Sequence, residues 1–313
     1  MGLQSGAHVI QALRWGQSAY ETDSDLRDEA DALRGLGVEL QFSTDLEPNM
    51  KGIEVLVVTS GVRVDESLFD RSDSLRLVVT TTSGIDHLDV EIARARGVAL
   101  ARCPIARRDA VVDTSLAMGL ALIRRLPSLQ RRAESGHWAR GELPQLGPLR
   151  IRGRKVGIVG AGVIGAEAIR CWGTLGAEVR YSDPVVQGGT SIDELCAWAE
   201  IVSLHCSLGP ESRQILNARR IGLLAPGAIV INTARGACVD LKALFNSSHL
   251  GGIGLDVFAQ EPPLELGEWA NHEQVILTPH AAGFHPEMSS EVCREVASTV
   301  AAFLQGRPLP APV

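Results

Sequence analysis

Residues Val156 to Gly165 read Val-Gly-Ile-Val-Gly-Ala-Gly-Val-Ile-Gly, an apolar strand running into a GxGxxG turn. That spacing suits the holding of a pyrophosphate. Gly160 permits a tight turn, Gly162 lets the backbone approach the phosphates, and Gly165 lets the next helix pack close to the strand. The N–H groups of Val163 and Ile164 open that helix, expected to run to about Trp172, and present its positive end to an anion. A carboxylate should follow about 20 residues on. Asp183 stands 18 positions past Gly165, directly after Val179-Arg180-Tyr181-Ser182. It is placed to accept from adenosine ribose hydroxyls and to repel a 2′-phosphate, so the expected cofactor is NAD rather than NADP. A chance glycine turn and an ordinary turn aspartate before Pro184 are the competing readings. The flanking strand and helix favour the nucleotide.

Three further motifs follow in order, each after an apolar run: Asn232-Thr233-Ala234-Arg235-Gly236, Leu255-Asp256-Val257-Phe258-Ala259-Gln260-Glu261-Pro262, and Thr278-Pro279-His280-Ala281-Ala282-Gly283. Each places a polar residue past the carboxyl end of a buried strand, where ligands of open α/β sheets bind. Taken singly, these residues also read as a capping arginine, a surface glutamate before Pro262-Pro263, and a satisfied buried histidine.

The elements that must position these residues are strands alternating with helices. In the first hundred residues, strands are expected at His8–Leu13, Val38–Phe42, Glu54–Thr59, Leu75–Thr80 and Val98–Ala101, with helices near Ser24–Arg34, Glu66–Phe69 and Val90–Ala95. A long helix is expected from Asp109 to about Leu126, ended by Pro127, and Gly136–Pro148 reads as an arm or linker. A second rhythm gives strands near Val156–Val159, Glu178–Tyr181, Ile201–Leu204, Ala228–Ile231, Gly252–Leu255 and Val275–Leu277, and a last helix at Glu287–Leu304. The length of 313 residues suits two domains. With 45% apolar, 21% charged and only 4% aromatic residues, and 32 glycines, the composition is that of a globular α/β chain with aliphatic cores and many tight turns.

The net charge of −7 argues against a nucleic-acid binder. Between Arg124 and Lys155, however, nine Lys/Arg stand against two Asp/Glu. That stretch reads either as a solvated helix end and linker or as part of an anion site. The six cysteines (Cys103, Cys171, Cys196, Cys206, Cys238 and Cys293) form no CxxC pair or metal-ligand spacing. Met1-Gly2-Leu3-Gln4-Ser5-Gly6 carries neither a secretory leader nor a myristoylation signal. No apolar run is long enough to span a membrane. A reduced, cytoplasmic protein is expected.

In these four ordered motifs the chain resembles the D-isomer-specific 2-hydroxyacid dehydrogenase family over nearly its whole length. The resemblance implies two Rossmann-like, doubly wound parallel-sheet domains around a hinged cleft. The substrate domain would be discontinuous and flavodoxin-like (1–101 and 284–313), and the NAD-binding domain would be 102–283. It implies Arg235 as the substrate-binding arginine, Glu261 as the acidic partner, His280 as the acid/base, and Asp256 as the contact to the nicotinamide amide. Thr233, Ala234 and His280 then join the cofactor set. Thr82-Ser83-Gly84-Ile85-Asp86-His87-Leu88-Asp89 matches the loop whose N–H groups around Ser83 and Gly84 hold the substrate carboxylate; a strand-to-helix turn capped by Asp86 or Asp89 is the alternative. The chemistry fits. Reduction of a 2-keto acid needs a proton on the carbonyl oxygen, which an imidazolium paired with a carboxylate supplies, and a planar guanidinium fork for the carboxylate. Cys238 reads as a small buried residue.

Departures from the family pattern are Val112-Asp113 for the common Ala-Glu, Val239-Asp240-Leu241 without the usual Glu, and Cys206-Ser207 where x-Pro is common. Formate dehydrogenases resemble the chain but carry Gln beside the histidine, so Glu261 argues against formate. Thr59-Ser60 replaces the Arg-Ser of phosphoglycerate dehydrogenases, and no regulatory domain is expected after Val313. Both weaken that substrate without removing it, because Arg107 or Arg108 could hold a phosphate as readily as be solvated. Glyoxylate, hydroxypyruvate and longer 2-keto acids stay open. A homodimer is expected through the long helix and the arm around Gly136-His137-Trp138. The rival of another class is an NAD(H)-sensing, corepressor-like binding protein on the same fold.

Overall fold

The computed structural model describes residues 8–18, 20–264 and 266–313. The chain falls into two compact units, Met1–Arg107 with His285–Val313, and Arg108–Phe284. The opening stretch Met1–Gly6, read for leader and lipid signals, lies outside the described residues.

The first unit begins β1 (Ile10–Trp15), α1 (Asp23–Arg34), β2 (Val38–Ser43), β3 (Val55–Val58), α2 (Glu66–Asp70), β4 (Leu77–Thr80), α3 (Val90–Ala95) and β5 (Ala99–Arg102). Its five strands pair in parallel in the order β2-β1-β3-β4-β5. β3 and β4 are buried at every position, as strands covered on both faces must be, which is why they read as unbroken apolar runs. Leu56, Val58 and Val78 face one core layer with Leu68 and Phe69. Val55, Val57, Leu77 and Val79 face the other, with Leu33. α1 starts cleanly because Thr22 and Asp25 form a reciprocal capping box.

The next helix, α4 (Ile105–Ile123), spans the point where the chain passes from one unit to the other. It differs from the expected Asp109–Leu126 at both ends. Its first turn is held by a remote residue: Glu295 accepts the N–H groups of Ile105 and Ala106, each at 3.1 Å. Its end is set by Arg125, whose backbone is left-handed at φ 60°. Pro127 therefore does not stop a helix. It sits in the first turn of α5 (Leu126–Glu134), where a missing N–H costs nothing. The expected linker contains a 3₁₀ turn at Ala139–Glu142 and the short α6 (Leu143–Leu146).

The second unit continues with β6 (Lys155–Val159), α7 (Val163–Thr174), β7 (Glu178–Ser182), α8 (Ile192–Trp198), β8 (Ile201–Leu204), α9 (Ala218–Ile221), β9 (Ile229–Asn232), α10 (Leu241–Phe245), β10 (Gly252–Leu255), α11 (Leu266–Ala270) and β11 (Val275–Leu277). These six strands are parallel in the order β11-β10-β9-β8-β6-β7. The direction of winding reverses between β6 and β8, so the loop leaving β6 lies at a switch point of the sheet. The last helix, α12 (Met288–Leu304), returns to the first unit, where Val292, Val296 and Val300 complete its second core layer.

The basic stretch is largely spent on bracing. Arg124 donates to Leu149 O, Arg125 to Leu146 O and Gly251 O, and Arg131 to the carbonyls of Ala270, Asn271 and His272. Arg132 pairs with Glu142 and Glu273, and Arg154 with Glu200. All six cysteines are free thiols, and among the described residues no His/Cys/Asp/Glu cluster could hold a metal. No described helix is long and apolar enough to cross a membrane.

Candidate active site

In the turn after β6, Gly160 has φ +90°, and a Cβ there would lie 2.7 Å from the Cys206 backbone. A Cβ on Gly165 would overlap the Gly160 carbonyl. Gly162, by contrast, caps α7 beside open space, with nothing within 4 Å of a Cβ position. Two glycines are thus demanded by the turn, and the third leaves room above it. The first N–H groups of α7, including those of Val163 and Ile164, lie outside the helical hydrogen-bond ladder.

Asp183 follows β7 and is already bonded. Its Oδ2 accepts the Ala161 N–H at 2.8 Å, and its Oδ1 accepts Val185 and Val186 N–H at 2.8 and 2.9 Å. Burial pushes this carboxyl up, but the three N–H donors outweigh burial and hold it below the usual aspartate value. A carboxylate has about four acceptor positions, so one is left for a ribose hydroxyl. Asp183 therefore shapes the glycine turn, a role the spacing rule alone did not assign.

Arg235, Glu261 and His280 are set by the neighbouring ends of β9, β10 and β11. Asn232 pairs in register with Leu255, and Leu255 with Leu277, so the strands finish level. Buried Asn232 shapes the arginine turn: its Oδ1 accepts the Ala234 N–H and its Nδ2 donates to Arg235 O, both at 3.0 Å. The Arg235 guanidinium donates to Ala234 O at 2.8 Å. A Cβ on Gly236 would overlap the Phe258 carbonyl and the Ala259 nitrogen, so only glycine lets the arginine turn lie against the loop that carries Glu261.

Glu261 accepts the Phe258 N–H through Oε1 at 2.9 Å and lies 2.8 Å from His280 Nδ1 through Oε2. An ionised carboxylate only accepts, so Nδ1 carries the shared proton and Nε2 is left for other chemistry. The His280 side chain is 51% exposed. Its backbone is left-handed, φ 54°, an uncommon state for a residue with a side chain. Asp256 holds it there. It is buried, its carbonyl accepts the His280 N–H at 2.8 Å, and its carboxylate accepts from Thr278 Oγ1 (2.6 Å), Ala281 N (2.8 Å) and Ala282 N (3.0 Å). Thr114 of α4 adds a bond to Ala282 O at 3.3 Å.

Arg235, Glu261, His280, Asp256 and the cofactor residues all lie in the second unit, and Ser83 and Gly84 lie in the first. Sequence reasoning passed over Asn232, Thr278 and His205 as site residues and placed Gly236 only in the lining of the cleft. The available signal for Asn232 was a buried amide closing an apolar strand. Thr233 Oγ1 and His205 Nδ1 are buried with no bonding partner among the described residues. His205 begins the loop after β8 that backs the glycine turn. These two orphaned atoms, the open space at Gly162 and the exposed first turn of α7 fit a bound dinucleotide.

Residues 116–282 match the family described as D-isomer specific 2-hydroxyacid dehydrogenase, NAD binding domain. Glyoxylate/hydroxypyruvate reductase HPR3 of Arabidopsis thaliana is 31% identical over 82% of this chain and 82% of its own. D-3-phosphoglycerate dehydrogenase of Methanocaldococcus jannaschii is 29% identical over 82% of this chain, which spans only 50% of that protein's length. The crystal structure of D-lactate dehydrogenase from Aquifex aeolicus complexed with NAD and lactic acid superimposes with a TM-score of 0.79. It is 26% identical, and the match covers 94% of this chain and 96% of that one. Two parallel α/β sheets, a dinucleotide turn and these matches agree, and the chain belongs to the D-isomer-specific 2-hydroxyacid dehydrogenase family.

Proposed function

We propose that the protein is an NAD-dependent oxidoreductase that interconverts a 2-keto acid and a D-2-hydroxy acid. The observation that carries this reading is the 2.8 Å pairing of His280 Nδ1 with Glu261 Oε2, which leaves Nε2 available on a half-exposed side chain. When bound, the nicotinamide supplies or accepts the hydride. His280 Nε2 gives a proton to the carbonyl oxygen during reduction and takes the hydroxyl proton during oxidation. Glu261 orients the ring through its bond to Nδ1. Arg235 offers its fork to the substrate carboxylate and keto oxygen. The Ser83 and Gly84 N–H groups, for which no acceptor is found among the described residues, hold the carboxylate.

Gly160, Gly162, Val163, Ile164 and Gly165 hold the pyrophosphate, and Asp183 the adenosine ribose. Thr233, Ala234, Asp256 and His280 lie at the nicotinamide end of the same reading. The unit Met1–Arg107 with His285–Val313 takes the substrate and Arg108–Phe284 the cofactor. Six free thiols suit a reducing compartment, here assigned as the cytoplasm. The exposed apolar side chains Leu126 and Trp138, on α5 and the arm after it, suit a homodimer.

The test is a panel of 2-keto acids with NADH. Turnover of at least one member, at a rate well above that of the His280→Ala protein, is the expected result. Tight NADH binding with no turnover across the panel would replace this reading with a sensing role.

A further inference from the structure

The first unit contains three arginines drawn into its interior, and it treats them differently. Arg14, 1% exposed, is matched by two carboxylates, Glu21 and Glu29. Arg102, which ends β5, and Arg107, in the first turn of α4, have no ion-pair partner among the described residues. Arg102 donates from Nη1 to Ser83 O at 3.3 Å, and its Nε is buried with no partner. Arg107 donates from Nη1 to Thr81 O. Burial alone pulls Arg102 below the usual arginine value. Burial also pulls Arg107 down, against the weaker opposing pull of Cys103, Glu21 and Glu295. Glu295 makes no bond to Arg107; its two oxygens accept the Ile105 and Ala106 N–H groups.

Both guanidiniums therefore converge on one loop, Thr80–Gly84, at the carboxyl edge of the five-stranded sheet, where Thr80 and Arg102 are paired in register. The Ser83 hydroxyl in that loop is also buried, with no partner among the described residues. A guanidinium has five N–H donors, and only one of each is bonded among the described residues. Two desolvated cations with spare donors, beside an unpaired hydroxyl, form a site that an anion completes.

We propose that Arg102, Arg107 and the Ser83 hydroxyl form a second anion subsite, so that the substrate is a 2-keto acid bearing an additional carboxylate or phosphate group. This rests on the reading of Ser83–Gly84 as the carboxylate-holding loop. A monocarboxylate, already assigned those N–H groups and Arg235, has no charge left for two more guanidiniums. Arg102 and Arg107 act on specificity, and no proton or electron passes through them.

The experiment compares pyruvate and hydroxypyruvate, which have uncharged side chains, with 2-ketoglutarate and 3-phosphohydroxypyruvate, using NADH and the full chain. The wild type favours one of these two more highly charged substrates by at least about tenfold in kcat/KM, and which one it favours separates carboxylate from phosphate. Arg107→Gln and Arg102→Gln raise KM for that substrate by about tenfold or more beyond any change in KM for pyruvate. Arg107→Lys, which keeps the charge, restores part of the preference and guards against a simple folding defect. Equal loss on the monoanionic and the more highly charged substrates, or no preference in the wild type, overturns the subsite. Calorimetric binding of 2-ketoglutarate and pyruvate to the NADH-loaded protein gives the same comparison if turnover is slow. Loss of reduction in His280→Ala with an unchanged preference in Arg107→Gln would defeat this proposal alone. Full activity in His280→Ala would defeat the acid/base reading instead.

Discussion

His280 Nδ1 and Glu261 Oε2 stand 2.8 Å apart, joined from loops at the ends of two neighbouring strands. Glu261 is fixed on its other oxygen by the Phe258 N–H, so the carboxylate has one orientation to offer the ring. His280→Ala is expected to lower kcat for keto-acid reduction by about 10²- to 10⁴-fold, the range of a lost general acid, with NADH affinity changed little. Glu261→Gln keeps the shape and removes the charge, and its expected loss is at least about tenfold, again in kcat rather than in cofactor binding. Stopped-flow reduction and fluorescence titration of NADH separate the two quantities. Wild-type kcat in either variant would remove that residue from proton transfer.

The contact between the arginine and glutamate loops depends on a single missing methyl. Gly236 lies so close to the Phe258–Ala259 peptide that any side chain must move one of the two backbones. Overpacking of this kind costs about 1–3 kcal/mol and more where backbone is the obstacle. Gly236→Ala should therefore lower the melting temperature and reduce kcat/KM, although residue 236 bears no reactive group. Thermal unfolding with steady-state kinetics checks both, and a variant with normal activity would show that the two loops need not touch.

The inner strands could be read from sequence because they are buried on both faces and leave short aliphatic runs; Val55–Val58 and Leu77–Thr80 are plain examples. The glycine turn was equally legible, since its chemistry lies within ten consecutive residues. What escaped notice depends on distant partners. α4 begins at Ile105 because a carboxylate about 190 positions away caps it, and no local pattern announces Glu295. Pro127 was read as a stop because a proline ends one helix and begins another with the same local signature, and the left-handed Arg125 decides between them. Arg235, Glu261 and His280 were found through family resemblance. The residues that position them, Asn232, Gly236 and Thr278, required the three strand ends to be seen side by side.

Asp183 offers a sharper cofactor test than its spacing suggested. The carboxylate braces Ala161, Val185 and Val186, so Asp183→Ala would damage the turn as well as remove the charge. Asp183→Asn retains one acceptor oxygen, enough for the Val185 and Val186 N–H groups, gives up the Ala161 bond, and removes the repulsion toward a 2′-phosphate. It is expected to raise the ratio of NADPH to NADH efficiency by about tenfold, or about 1.4 kcal/mol, and to lower the melting temperature less than Asp183→Ala does. An unchanged ratio would place the ribose elsewhere.

His205 links the nucleotide turn to acid sensitivity. Its Nε2 is bonded to Ser203 Oγ at 2.9 Å, its Nδ1 is enclosed without a partner, and burial pulls its pKa down to about 4. The unfolded chain, where a histidine titrates near 6.5, binds this proton more readily than the folded one. The contribution is therefore complete above about pH 6.5 and is lost as pH falls toward 4, by no more than about 3 kcal/mol. Denaturant melts of the wild type at pH 7.5 and 5 should show this fall, superimposed on that of the carboxylates. His205→Asn has nothing to titrate in that window, so its stability difference from the wild type should shrink by about 2 kcal/mol between those two pH values. Parallel pH curves for the two proteins would mean that His205 is protonated as easily in the folded chain as in the unfolded one.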